Sequence, residues 1–312
     1  RSAYTTPDTT PDIRPIDFSE LPPLLRLTQP VNIDTVDSKQ IPVAYQIASA
    51  MSHPMIVSIE GNIGSGKSTL IRLLQTDKVF HAVQRRLQRP VVFVPEPVHV
   101  WDTIRDPSTD ETIIQKFYQD PSKYAFTFQI MAYATRFKVI QDTLEANPHA
   151  LIITERCLET DKHVFAKMLY ESGKIDEMHY EIYNHRYEAF SSVDVNQFVY
   201  VNTNPTICFE RIQKRHREGE VNGGIDLNYL KSCDQAHQTW LNRKENVSTV
   251  DGNQEFETDK EYYRSILKSL MKEWNPMVSS ESIDELWKQE EDISVMSKFT
   301  PTQVANMTIH SC

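Results

Sequence analysis

Residues Gly61–Ser68 read GNIGSGKS, a Gly-x-x-x-x-Gly-Lys-Ser spacing in a chain with only eight glycines among 312 residues. Three of the eight, Gly61, Gly64 and Gly66, fall within six consecutive positions. Bare backbone at such positions lets N–H groups turn inward as a concave anion nest. A helix starting at the end of the loop adds partial positive charge. The chemistry this suits is polyphosphate binding. The cradle would run through Gly61, Asn62, Ile63, Gly64, Ser65, Gly66, Lys67, Ser68 and Thr69, with Lys67 on the β- and γ-phosphates and the Ser68 hydroxyl on Mg²⁺. The apolar run MIVSIE (55–60) precedes the loop and the helical pattern STLIRLLQ follows it, the order this motif requires. The plainer alternative is a glycine turn carrying an exposed lysine. The loop by itself does not separate GTPases, ATPases and kinases.

Three other stretches carry groups suited to group transfer. In PEPVHVW (95–101), Glu96 stands at the end of an apolar run, where a carboxylate can take a proton from a hydroxyl nucleophile. Taken singly it reads equally well as a capping or solvated carboxylate. In YAFTFQIMAYATRF (124–137), Gln129 and Arg136 are seven residues apart and share one face of a largely apolar helix, for which Asp120 and Pro121 supply an N-cap and first residue. Buried there, both need polar partners, and the edge of a flat base would serve. Exposed there, neither would. In TERCLETDKHVF (154–165), Glu155 and Arg156 close another apolar run, and Asp161 and Phe165 lie one turn apart on the following helix. A fourth stretch, ERIQKRHREGE (210–220), is the densest basic segment of the chain, with Arg211, Lys214, Arg215 and Arg217. It is either a solvated face or a lid of cations over transferring phosphoryl oxygens.

These groups need a scaffold that brings them to one edge. The runs MIVSIE (55–60), VVFVPE (91–96), ALIITER (150–156), QFVYVN (197–202) and VSTVD (247–251) each read as a buried strand, with helical patterns between them. Strand–helix alternation predicts an α/β fold, a parallel five-stranded sheet flanked by helices, with the ligand beyond the carboxyl ends of the strands. Glu60, Glu96, Glu155 with Arg156, and Asp251 end four of the runs and would converge there. Around this core, at 51–275, the chain carries a proline-rich N-terminal extension, 1–50, with seven prolines, and a C-terminal extension, 276–312. A short helix is expected near Val43–Met51 and another over Ser282–Glu291.

Composition excludes several classes. A net charge of −10 argues against coating a nucleic acid polymer, so any anionic ligand must meet local positive charge. No apolar run approaches the length of a membrane span. Cys157, Cys208, Cys233 and Cys312 form no C-x-x-C pair, which predicts reduced thiols in a cytoplasmic setting rather than a zinc knuckle or disulfide framework. The first residue is Arg1 rather than Met, which leaves room for a removed leader.

GNIGSGKST, PEPVHVW, FTFQ with the later Arg136, and ER with the later Asp161 and Phe165 resemble, in order and approximate spacing, the eukaryotic-type deoxynucleoside kinases, above all deoxycytidine and deoxyguanosine kinases. The resemblance covers about residues 55–275. It implies the P-loop kinase fold with a basic lid, ATP and Mg²⁺ as cofactors, a deoxynucleoside substrate and a homodimer. Glu96 would be the base that activates the sugar 5′-hydroxyl, Arg156 would contact phosphate, and Glu155 would join Ser68 in holding Mg²⁺. Trp101, Phe128 and Phe165 would enclose the base, Gln129 would pair with its edge, and Tyr118 and Glu220 would hold the 3′-hydroxyl. Arg215 and Arg217 would close over the phosphates, while Arg211 and Phe256 would hold the adenine. Arg136 and Asp161, with Ala132 as a third selectivity position, imply deoxycytidine or purine deoxynucleosides over thymidine, because thymidine-preferring relatives keep apolar residues at one or both charged positions. The sequence departs from the family after ER, where Cys157, Leu158 and Glu159 stand for a serine and tyrosine, and at Lys162 and His163. Two competing readings are a nucleoside monophosphate kinase resembling thymidylate kinase and a non-catalytic structural subunit.

Overall fold

The five apolar runs form one all-parallel sheet, with β1 (Met55–Glu60), β2 (Val91–Val94), β3 (Leu151–Glu155), β4 (Gln197–Asn202) and β5 (Val247–Asp251) in spatial order β2-β3-β1-β4-β5. The structure, a computed structural model, describes residues 53–87, 89–190, 193–216, 224–275 and 278–296. Arg217, Glu220, Cys312 and the segment 1–50, including the helix expected near Val43–Met51, lie outside those residues.

Two strands are shorter than their apolar runs. β2 stops at Val94 because Pro95 and Pro97 cannot donate to a ladder, which leaves Glu96 on a loop between two prolines. β3 stops at Glu155 because Arg156 turns into the left-handed region with φ 63°. Both departures put a functional candidate just past the sheet, where its side chain is free of the strand's alternation.

Helices cover both faces. After β1 come α1 (Lys67–Thr76) and α2 (Lys78–Arg86), and after β2 come α3 (Val98–Trp101), α4 (Ile113–Gln119) and α5 (Pro121–Ala146). The expected start of α5 is present, since Asp120 accepts from the Lys123 N–H and Pro121 occupies the first turn. Past β3, α6 (Leu158–Thr160), a π-helical stretch (Asp161–Ala166) and α7 (Lys167–Glu171) follow one another without a gap. The expected α-helix is thus wound more widely through Asp161 and Phe165, a form that recurs at functional sites. The rest are α8 (Glu177–Phe190), α9 (Pro205–Arg215), α10 (Leu227–Leu241), α11 (Lys260–Trp274) and α12 (Ser280–Met296).

One face of the sheet (Val57, Ile59, Leu151, Ile153, Val199) packs on Leu70 and Leu74 of α1, Phe80 of α2 and Leu267 and Trp274 of α11. Opposite, Ile56, Val94 and Ile152 meet Ile140 of α5. With both faces covered, β1 and β3 are buried along most of their length and mainly apolar, which is why they read as continuous runs. The helix expected over Ser282–Glu291 is α12, longer at both ends, and it inserts fully buried Ile283 and buried Leu286 into the same core. This part of the C-terminal extension therefore belongs to the packed body. Replacing Ile283 by Ala is expected to lower unfolding free energy by about 2–4 kcal/mol in urea titration, the cost of a buried aliphatic side chain. A loss below about 0.5 kcal/mol, the range of surface substitutions, would mean that α12 is an appendage.

Candidate active site

Beyond the carboxyl edge of the sheet lies a cavity of about 770 Å³, within the size range of small-molecule sites. β1 stands at the centre of the sheet, so its carboxyl end delivers the glycine loop to the middle of this edge. Gly61 has φ 139° and Gly64 φ 78°, and a Cβ on either would come 2.6 Å from a backbone oxygen, that of Val201 or Cys208. Only glycine lets the loop lie this close to β4 and α9. Ile63, Gly64, Gly66, Lys67, Ser68 and Thr69 line the cavity. Asn62 instead faces away and ties the loop to α10 through the Leu230 carbonyl at 2.8 Å, while Gly61 and Ser65 form the back of the loop and do not line the cavity. Lys67 is buried, its Nζ donating to the Asn62 carbonyl at 2.7 Å. Burial, reinforced by the Arg156 charge, lowers its pKa to about 8.

From β2 and β3 come the reactive polar groups. Glu96 Oε1 accepts from Arg156 Nη1 at 2.7 Å and from Arg136 Nη2 at 3.0 Å. Burial alone would raise the Glu96 pKa, but Arg156, Arg136 and Lys67 outweigh it and hold the carboxyl at about 2. Gln129 and Arg136 are both buried, so the shared face of α5 points inward. Arg136 also donates from Nε to Asp161 Oδ2 at 2.9 Å and from Nη1 to the Glu155 carbonyl at 2.8 Å, so one guanidinium joins β2, β3 and the π-helical stretch. Burial pushes Asp161 up to about 6 against the pull of Arg136, which leaves it ionised at neutral pH. Gln129 Oε1 is buried with no hydrogen-bond partner among the described residues, an orphan acceptor on the cavity wall.

Aromatic rings close the other side. Trp101 meets Phe128 edge to face at 5.4 Å, and Phe128 stacks on Phe117 at 4.9 Å. Phe165 lies under the Arg156 guanidinium at 5.1 Å, and Tyr118 and Ala132 complete the wall. At the far end stand Arg211, Lys214, Arg215 and Phe256, with Phe256 against Gly66. Arg211 donates to the carbonyls of Ser65 and Gly252 at 3.2 and 2.8 Å, so it braces the loop from behind. Ser68 Oγ donates to Glu155 Oε1 at 2.8 Å. This hydroxyl–carboxylate pair on the wall is an oxygen-only donor set of the kind a hard divalent cation accepts.

The cavity thus unites Glu96, Arg156 and Lys67 with the aromatic and selectivity positions, while Arg217 and Glu220 fall outside the described residues. The departures from the family pattern turn away from it. Glu159 pairs with Lys244, Lys162 lies over the Tyr187 ring at 4.2 Å, and His163 stacks on Trp240 at 6.0 Å. Sequence reasoning missed Phe117 and Tyr229 on the wall, and Thr160 behind it. Phe117 precedes Tyr118 on a helix with an apolar stripe, a signal that was available. Tyr229 offered none, because only the packing of α10 brings it here.

The deoxynucleoside kinase family model matches residues 57–279. The chain belongs to the deoxynucleoside kinase family. It is 33% identical over 249 residues to deoxycytidine kinase 2 of Gallus gallus, covering 69% of this chain and 89% of that one. Identity to a probable deoxycytidine kinase of fowlpox virus is 32% over 223 residues, 69% and 86% of the two chains. Identity to a mitochondrial deoxyguanosine kinase of Xenopus laevis is 32% over 207 residues, 60% and 73% of the two chains. The fold is that of the P-loop kinases, and the protein is an enzyme of deoxynucleoside phosphorylation, which removes the non-catalytic reading.

In this kinase the buried Lys67 costs stability, because burial disfavours its charged form. Its folded pKa, about 8, lies below the ordinary lysine value of 10.5, so the unfolded chain binds more protons between those values and the cost fades as pH rises through that window. Lys67→Met is therefore expected to abolish turnover yet raise nucleotide-free stability at pH 7 by on the order of 2 kcal/mol. The gain, read by urea titration, should shrink between about pH 8 and 10. A variant less stable than the parent at pH 7 would contradict this.

Proposed function

We propose that the enzyme transfers the γ-phosphoryl group of ATP to the 5′-hydroxyl of deoxycytidine or a purine deoxynucleoside, with Glu96 as the base. The observation that carries this reading is the shared cavity, in which a carboxylate gripped by two arginines stands on the same wall system as Lys67 and Ser68. The nucleoside base enters the aromatic slot of Trp101, Phe128 and Phe165, and Tyr118 and Glu220 take the 3′-hydroxyl. The 5′-oxygen faces Glu96. A carboxylate at about 2 is a weak base for an unactivated alcohol. In a loose phosphoryl-transfer transition state, however, the nucleophile needs little early activation. Glu96 orients the hydroxyl as an acceptor and receives its proton late, when the oxygen has become acidic through bonding to phosphorus. Arg156 and Lys67, with Arg215 and Arg217 from the lid, meet the charge on the equatorial oxygens. Ser68 and Glu155 would hold Mg²⁺, which supplies charge neutralisation at the β- and γ-oxygens. Arg211 and Phe256 bound the adenine end.

The acceptor is read as a nucleoside rather than a monophosphate because Arg136, the cation on the base side of Glu96, is already engaged by two carboxylates. Deoxycytidine and purines are favoured by the Arg136–Asp161 pair. A carboxylate offers only acceptors and a guanidinium only donors, so the pair suits edges that carry an amino group. Thymine would place a carbonyl before the carboxylate. Exposed Met178 and Ile182, one turn apart on α8, are an apolar pair that a second copy of the chain would cover in a homodimer. The described cysteines are buried and unpaired, consistent with a reducing, cytoplasmic setting. No described helix is long and apolar enough to cross a membrane.

Glu96→Gln should keep ATP affinity within about threefold and lower kcat by about 10²–10⁴, the usual contribution of an acid–base group. Near-parental kcat would remove Glu96 as the base. With the four natural deoxynucleosides supplied equally to the parent enzyme, thymidine should be the poorest acceptor in kcat/KM, by about 10²-fold or more, because it leaves buried polar groups unpaired. Preference for thymidine would overturn the role given to Arg136 and Asp161.

A further inference from the structure

Glu60 is the last residue of β1, directly before the phosphate loop, and it is fully buried. The mechanism above gives it no task. Both its carboxylate oxygens accept from the Thr160 hydroxyl at 2.8 Å, and Oε1 also accepts from the Ser58 hydroxyl at 2.6 Å. Burial raises its pKa, opposed by those hydroxyls and by the Arg156 charge. A buried carboxyl at the end of the central strand is expensive to keep, and an aliphatic side chain there would continue the apolar run.

Its partner explains the arrangement. Thr160 Oγ1 donates to Glu60 and accepts from the Cys157 N–H at 3.2 Å. On the other side of the corner, the Arg156 N–H donates to the Ile59 carbonyl at 3.1 Å. Arg156 lies between these two anchors with φ 63°, a conformation that a side chain with a Cβ rarely holds unless its surroundings impose it. Residues 59 and 60 therefore fix the backbone on both sides of the strained arginine, one through a main-chain bond and one through the Thr160 hydroxyl. The corner in turn sets the guanidinium that grips Glu96 at 2.7 Å and lies over Phe165.

We propose that Glu60 and Thr160 are positioning residues for phosphoryl transfer: their hydrogen bond holds the left-handed corner that aims Arg156 at Glu96 and the transferring group. This rests on the role given to Arg156 above. Glu60 is next to Gly61 in the chain and Thr160 is next to Asp161, so the same bond also joins the phosphate loop to the base-selecting π-helical stretch.

The test is steady-state kinetics on Thr160→Val, Thr160→Ser, Glu60→Gln and Arg156→Lys in the full-length chain, with ATP and the best natural deoxynucleoside. Loss of the hydroxyl in Thr160→Val should lower kcat by about tenfold or more while both KM values stay within about threefold, the pattern of an interaction realised in the transition state. Thr160→Ser, which keeps the hydroxyl, should recover kcat to within about threefold of the parent. Glu60→Gln keeps an amide oxygen that accepts the Thr160 hydroxyl and should hold kcat within about threefold of the parent, and if it fails to fold the threonine pair decides the matter. The inference is overturned if Thr160→Val keeps kcat within about twofold, or if valine and serine lose equally, which would mean that side-chain volume and not the hydroxyl matters. Arg156→Lys separates the two levels. If it turns over normally, the role of Arg156 falls and this inference with it. If it is crippled while Thr160→Val is not, only the positioning role falls.

Discussion

The arrangement depends on one carboxylate held between two guanidinium groups. Glu96 sits on a loop with no ladder bonds of its own, flanked by prolines that set its backbone. Its side chain is fixed from across the cavity by Arg136 of α5 and Arg156 at the end of β3. Neither arginine could be buried here without compensation, and neither carboxylate could be buried without them. Glu96 and Asp161 engage Arg136, Glu96 pairs with Nη1 of Arg156, and the Glu155 carbonyl takes a further Arg136 guanidinium proton. The network therefore works as a unit. Removing one member leaves its partners as uncompensated buried charge, which is far costlier than losing an exposed ion pair.

This network also divides the cavity by electrostatic role. On the phosphate side, Lys67 is the buried cation whose charge is least compensated, and its depressed pKa reflects that. On the base side, the charges are already paired, so what remains for a ligand is directional: the acceptor edge of Asp161, the orphan amide oxygen of Gln129 and the faces of aromatic rings. In the proposed reaction, affinity for the donor would come mainly from charge, and choice of the acceptor mainly from hydrogen-bond geometry. With an overall charge of −10, an anionic ligand must meet local positive charge, such as Lys67 and the basic end of α9.

Much of this was legible in the residues. The central strands β3, β1 and β4 could be read because a parallel sheet covered on both faces leaves nearly unbroken apolar runs, whereas the edge strands β2 and β5 are only partly buried. The glycine loop could be read because three glycines in six positions have few other uses. The inward face of α5 was open from spacing alone, since Gln129 and Arg136 would share a face whether buried or exposed. Only the arrival of Glu96 and Asp161 from other elements settles it. Strand ends were misjudged where local backbone wins over hydrophobicity, at Pro95 and at the left-handed Arg156. The π-helical winding through Asp161 had no signal in the local sequence; in the fold, Arg136 and Glu60 engage Asp161 and Thr160 from other elements. Tyr229 was invisible for the same reason. The helix α12 was visible, but its membership in the core depended on the packing surface offered by α2 and α11.

The most direct test of the central claim is a structure of the enzyme with a deoxynucleoside and a non-hydrolysable ATP analogue. The account predicts the 5′-oxygen within about 2.6–3.2 Å of a Glu96 carboxylate oxygen and in line with the γ-phosphorus, with both arginines still on Glu96. A sugar hydroxyl directed away from Glu96, or a Glu96 released by both arginines when the two ligands are bound, would contradict it.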